Sequence, residues 1–212
     1  NWFKLSSLLG KIDLEITKKF SSFILMALVS AICVPLSQML IRAYLTQEFS
    51  LAYAGYWEAM IRLSTVYLML VTTTLGVYYL PRLSELNKID EIKKEVYLGY
   101  KFLFPLTVVG GIIVFILRDW IINLLFTPSF APMQDLFFWQ MMGDALKIGS
   151  WILAYLMLSK AMTKLYISTE IIFTLSLIAL TYVCTQFFGF KGVSIAHLIN
   201  YGMYWIVISL FI

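Results

Sequence analysis

Six apolar runs, each long enough to cross a bilayer, follow one another along this chain of 212 residues. They cover about 20–45, 53–80, 100–117, 133–158, 165–188 and 193–212. A hydrocarbon core of about 30 Å needs roughly 20 such residues as a helix, and inside lipid every backbone group must be satisfied within its own segment. The alternating ten-residue pattern of a membrane barrel is absent. The expected fold class is therefore an all-α integral membrane lobe of six transmembrane helices, with short interfacial amphipathic helices. Composition agrees: apolar types make up 61% and charged types 13%, against about a quarter charged in soluble domains. The chain begins at Asn1 and stops inside an apolar run at Ile212, which reads as part of a larger protein. No signal peptide is visible at its start.

The segments between the runs fix an expected orientation. Lys4, Lys11, Lys18 and Lys19 precede the first run. Arg82, Lys88, Lys93, Lys94 and Lys101 lie between the second and third, and Lys160 with Lys164 between the fourth and fifth. The opposite loops carry only Arg42, Arg118 and Lys191 near their edges. By the positive-inside rule, both ends of this segment face the cytoplasm. Residues 1–19 (KLSSLLGKIDLEITKKF and its flank) and ELNKIDEIKKEVYLGY show helical apolar spacing with charge on the other face. Both are expected to lie along the interface. The organisation is thus an interfacial connector at 1–19 followed by a six-helix lobe at 20–212. Asp90–Glu91 reads as a surface turn, and FTPSFAPMQD as a structured outer turn. Tyr53, Tyr56, Trp57, Trp120 and Trp139 read as interface anchors, with sugar stacking open to one or two of them.

Charges within the runs are the candidates for function. Glu58 and Arg62 stand four apart on the second helix, on one face, and Asp144 and Lys147 stand three apart midway along the fourth. A charge at the bilayer centre costs roughly 2.5–3.5 kcal/mol on insertion scales, so these groups face the bundle interior or a watery cavity. Self-neutralising ion pairs that lock helices together are the plainer reading. Buried pairs stabilise poorly against apolar packing, however, so two of them call for a further reason. Arg42 near the outer end of the first helix, Glu170 on the fifth and the single histidine, His197, on the sixth are weaker candidates. Histidine as a residue type is a natural proton carrier, but a lone intramembrane histidine more often joins helices by a hydrogen bond. Pro35, Pro105 and Gly110–Gly111 interrupt helices, as transporter segments and simple kinks both do.

Catalytic chemistry finds little support: no His/Asp/Glu cluster has metal spacing, no glycine-rich loop opens a helix, and no Ser or Cys has a His partner in view. Cys33 and Cys184 fall within spans and read as small hydrophobes. A net charge of +4 without a compact basic run points away from nucleic acid. Cations in a membrane cavity suit an anionic substrate, and protonatable carboxylates beside them suit gradient coupling. Transport is the favoured class, with no enzyme activity, cofactor or metal.

The order of spans, the LPRLSEL that closes the second, and the block LLFTPSFAPMQDLFFWQMMGDALKIGSWILAYLMLSKA resemble the polysaccharide-precursor flippases of the Wzx type. These belong to the multidrug/oligosaccharidyl-lipid/polysaccharide exporter superfamily. The resemblance covers essentially the whole chain and is strongest to the branch serving enterobacterial common antigen synthesis. It implies the second of two six-helix lobes around a central cavity in the bacterial inner membrane, the N-terminal lobe of the same protein supplying the other wall. The implied substrate is an oligosaccharide on undecaprenyl pyrophosphate (lipid III in that branch), turned from the cytoplasmic to the periplasmic leaflet by alternating access. Membrane lipids, a polysaccharide polymerase and a chain-length regulator are the other implied partners. Carried onto this sequence, Arg62 and Lys147, with Arg42, become candidates to hold the pyrophosphate. Asp144, Glu58 and Glu170 become their charge partners or proton carriers. An organic-cation exporter of the same superfamily, a polyprenyl-phosphate enzyme and a non-transporting subunit of a glycan assembly complex are the alternatives. The first should carry carboxylates and aromatics rather than Arg and Lys.

Overall fold

The computed structural model describes residues 14–212, and all of the elements within them are helical. Of the expected interfacial connector at 1–19, residues 1–13 lie outside the described part, and from Leu14 the chain is already in the first helix. That helix, α1 (Leu14–Glu48), carries Pro35 in its interior. After a two-residue turn, α2 (Leu51–Thr74) returns. It widens into one π turn at Leu75–Tyr79, where the Leu80 N–H donates to the Leu75 carbonyl, and ends as α3 (Leu80–Glu85). Pro81 accounts for the wide turn: it has no N–H, and its ring would press on the carbonyl four residues back in a regular α-helix.

The third long helix, α4 (Ile89–Ile116), departs from the expected boundaries. The amphipathic stretch around Ile89–Tyr100 is not a separate helix lying flat; it is the first three turns of α4. Asp90 and Glu91 accordingly sit in its first turn rather than in a surface turn. There their charge complements the N-terminal end of the helix dipole. With 28 residues α4 is about 42 Å long, more than a hydrocarbon core of about 30 Å requires. A short helix, α5 (Arg118–Leu125), and a 3-10 segment, Pro128–Met133, then lead into α6 (Gln134–Ser159).

α7 (Thr163–Phe188) and α8 (Gly192–Phe211) form one apolar stretch of 49 residues, the last of five such stretches among the described residues. As a straight rod it would measure about 74 Å, more than twice the bilayer core. It is a hairpin instead. One 3-10 turn at Gly189–Lys191 reverses the chain, and α7 and α8 pack along each other. Gly189 makes the reversal possible, holding φ at 63° and ψ at −151°, a region open to glycine alone.

α6 is the centre of the lobe. It packs against α8, α4, α3, α2 and α7, whereas α1 leans mainly on α7 and α2. Around it the buried apolar residues fall into two main groups. Met60, Leu136, Phe137 and Met141 belong to the group nearer the α1–α2 turn. Leu68, Leu75, Ile148 and Ile152 belong to the group nearer the lysine-bearing turns between α3 and α4 and between α6 and α7. Lys160 donates to the Leu86 carbonyl and ties those two turns together at one end of the lobe. Between the apolar groups lies a buried polar layer: Ser64, Gln140, Asp144, Ser194, His197 and Asn200.

Candidate functional site

The polar layer is organised around Asp144, whose side chain has no solvent exposure. Three helices contribute to it. From α2 the Tyr67 hydroxyl donates to Oδ2 at 2.9 Å. From α6 itself the Gln140 amide donates to Oδ1 at 3.2 Å, one turn away. From α8 the Nε2 of His197 stands 3.0 Å from Oδ1. Ser194 on α8 in turn donates to the Gln140 carbonyl oxygen at 3.2 Å. The close approach of α8 depends on Gly143. A Cβ there would fall 2.3 Å from Cδ2 of His197, a separation no packed carbon tolerates. The sequence places a glycine directly before Asp144, and the imidazole fills the space where a side chain would be.

Lys147 does not complete this network. Among the described residues it forms no ion pair, and its ammonium lies over aromatic rings instead, 4.7 Å from the Trp151 centroid and 5.7 Å from that of Tyr201. The sequence spacing put Asp144 and Lys147 on one face of α6. The imidazole and the phenol occupy the carboxylate, and the lysine stem carries its charge past it into a cavity. That cavity, about 230 Å³, is enclosed by α1, α2, α6, α7 and α8. Lys147, Glu170, His197, Asn200, Gln38 and several threonines line it together with Trp57, Trp151 and Tyr201. Trp57, expected as an interface anchor, is thereby a buried wall of the cavity. Tyr53 and Tyr56 instead stack edge-on against Phe190 at the α7–α8 turn.

The remaining candidates form a second, separate cluster. Glu58 on α2 receives both guanidinium groups: Arg62 Nη2 at 2.7 Å from Oε1, and Arg42 of α1 at Oε2. Two cations on one carboxylate leave a net positive charge. Both cations remain open, the Arg62 side chain being 78% exposed. Arg62 and Glu58 border a groove of about 400 Å³ against Leu125, Phe126 and Phe130, not the internal cavity. The structure thus joins Arg42, Glu58 and Arg62, and separates them from Asp144, Lys147 and Glu170.

Tyr67, Gln140, Ser194 and Asn200 are the site residues that sequence reading passed over. Gln140 lies one turn before Asp144 and was open to notice. The others belong to helices whose depth and rotation become known only on packing. Among the described residues, no group of three or more His, Cys, Asp or Glu side chains stands close enough to hold a metal ion.

Comparison with known proteins places this geometry. In fold, the chain matches half of a membrane transporter: 92% of it superposes on 45% of the MATE transporter VcmN of Vibrio cholerae in its bent form, with a TM-score of 0.67 at 16% identity. This is an all-α membrane lobe of the MATE-transporter fold. In sequence, 192 residues (91% of the chain) are 32% identical to the lipid III flippases of Escherichia coli K12 and Shigella flexneri. The chain is a relative of those flippases, as its resemblance to the polysaccharide-precursor flippases implied, and it spans 46% of their length. No family model matches the sequence.

Proposed function

We propose that the protein containing this lobe is a flippase for an undecaprenyl-pyrophosphate-linked oligosaccharide, the lipid III of enterobacterial common antigen being the substrate favoured by its curated relatives. The lobe forms one wall of a central cavity in the bacterial inner membrane, and the N-terminal lobe forms the other. Both ends of the segment lie in the cytoplasm, consistent with the lysines gathered at one end. Alternating access, driven by an ion or proton gradient, carries the headgroup from the cytoplasmic to the periplasmic leaflet. The protein is a transporter and not an enzyme.

The exposed guanidinium of Arg62 at membrane depth carries this reading. A charge so placed cannot face hydrocarbon cheaply, so its side of α2 borders a hydrated space. A guanidinium offers phosphate a planar fork of donors that replaces lost hydration. Arg62, with Arg42, is therefore the pyrophosphate-holding group, and Glu58 holds both in place. Lys147 lies in a different cavity and does not share that headgroup with them. A groove headed by arginines disfavours an organic-cation exporter. Translocation of lipid-linked oligosaccharide into inverted vesicles, by the full-length protein and its Arg62→Ala variant at matched expression, tests this reading. Loss of about tenfold or more is expected, since one charge-assisted bond exceeds 1.4 kcal/mol. Wild-type flux from the variant would overturn the assignment and leave a structural subunit as the better account.

A further inference from the structure

The internal cavity is more polar than packing alone requires. Asn200 on α8 is 3% exposed, yet its Oδ1 has no hydrogen-bond partner. It lines the same cavity as Glu170 and as Lys147, whose ammonium makes no ion pair among the described residues. Buried polar groups left in this way are normally satisfied by water. A volume of 230 Å³ has room for several waters. A second cavity of about 220 Å³ adjoins it, with Val34, Trp151, Glu170 and Tyr204 common to both. This second space extends past Ser30 and Tyr166, whose hydroxyls are 2.8 Å apart, to Leu158 near the lysine-bearing α6–α7 turn.

His197 stands where this polar space ends. It lines the cavity, and its Nε2–Cδ2 edge is turned to Asp144 and Gly143 on α6. Among the described residues its Nδ1 makes no hydrogen bond. Asp144 itself does not line either cavity. The imidazole is therefore the contact between the polar space and the buried carboxylate.

We propose that the lobe contains a hydrated proton path from its lysine-bearing end to Asp144, and that His197 is the residue through which protons pass. A proton taken up at Nδ1 gives the imidazolium, whose Nε2–H is released to Oδ1 of Asp144. That release leaves the ring as the neutral Nδ1–H tautomer and the carboxyl protonated, and the reverse sequence or a ring rotation resets the tautomer, so proton number balances at every step. The groups facing His197 are Asp144 and Lys147 from α6, Glu170 from α7, and Tyr201 and Tyr204 from α8, with Tyr67 of α2 on the far side of the carboxylate. α1 presents only uncharged Ser37 and Gln38. The path lies inside one lobe and away from the Arg62 groove, so proton movement and headgroup binding are spatially separate. This inference rests on the gradient-coupled reading above, but its first test does not.

That test uses the full-length protein in lipid nanodiscs, labelled with 15N-histidine, with the His197 resonances assigned by their loss in His197→Gln. Exchange of the imidazole's nitrogen-bound proton with bulk water is expected across a pH titration of the sample, and Asn200→Leu, which removes the polar wall without touching the dyad, should slow that exchange by about tenfold or more. A single fixed tautomer, closed to solvent across the titration, would overturn the proposal. In proteoliposomes His197→Gln should abolish stimulation of translocation by a pH gradient while gradient-free exchange persists. Undiminished stimulation in that variant would also overturn it. Exchange at His197 in a protein that moves no lipid-linked oligosaccharide would retain the proton path and remove the flippase reading instead.

Discussion

The two charge clusters of this lobe began as the same kind of feature, an acid and a base one turn apart on a membrane helix. They end in opposite environments. Glu58 and Arg62 do pair along α2, and α1 adds Arg42 to the same carboxylate, so the cluster stays open and net positive. Asp144 and Lys147 do not pair. The carboxylate is claimed by groups from α2 and α8, and the ammonium is left to aromatic rings and a cavity. Helical spacing makes a pair available; burial decides whether it forms. At an open rim nothing competes with the neighbour one turn away. In a packed interior, donors from other helices sit closer and are already desolvated.

This contrast predicts very different costs for removing the two acids. Asp144→Ala strands the Tyr67 and Gln140 donors and the His197 imidazole in a buried layer and should destabilise the full-length protein by about 3–5 kcal/mol, the range for breaking a buried charged network. Thermal unfolding in detergent measures it; a loss no greater than that of Glu58→Ala would break the comparison. Gly143→Ala pushes a methyl into the imidazole of His197 and should cost about 1–3 kcal/mol by overpacking. Retention of wild-type Tm would mean α8 moves aside freely. Tyr67→Phe removes a single donor to Oδ2 while keeping the ring, for about 1.5–3 kcal/mol. Lys147→Met breaks no ion pair among the described residues and should lose no more than about 2 kcal/mol, the upper range of a desolvated cation–π contact. A loss as large as that of Asp144→Ala would show that the two charges act as a couple after all. Glu58→Gln should be smallest in stability, within about 1 kcal/mol, because exposed ion pairs contribute little. Its sharper readout is function: Glu58 holds both arginines in place, so the variant should weaken binding of a pyrophosphate-headed lipid, and tightened binding would show that the carboxylate competes with the headgroup instead.

Much of the architecture was legible because the bilayer imposes it. Only helices of sufficient apolar length can satisfy their backbones in lipid, so the runs and breaks of this sequence determine an all-α membrane lobe and the places where charge needs an explanation. Glu58 with Arg62 was legible as well, since four residues on one helix bring two side chains together whatever else surrounds them. The sequence alone did not determine the partner of Asp144. His197 lies 53 residues away on α8 and Tyr67 lies 77 residues away on α2, and their meeting depends on how three helices rotate and how closely Gly143 lets α8 approach. The continuity of the amphipathic start of α4 with the rest of that helix, and the separation of Lys147 from Arg62, were decided at the same level. Backbone hydrogen bonding is local and is written along the chain, whereas competition among buried donors for one carboxylate exists only once the helices have packed.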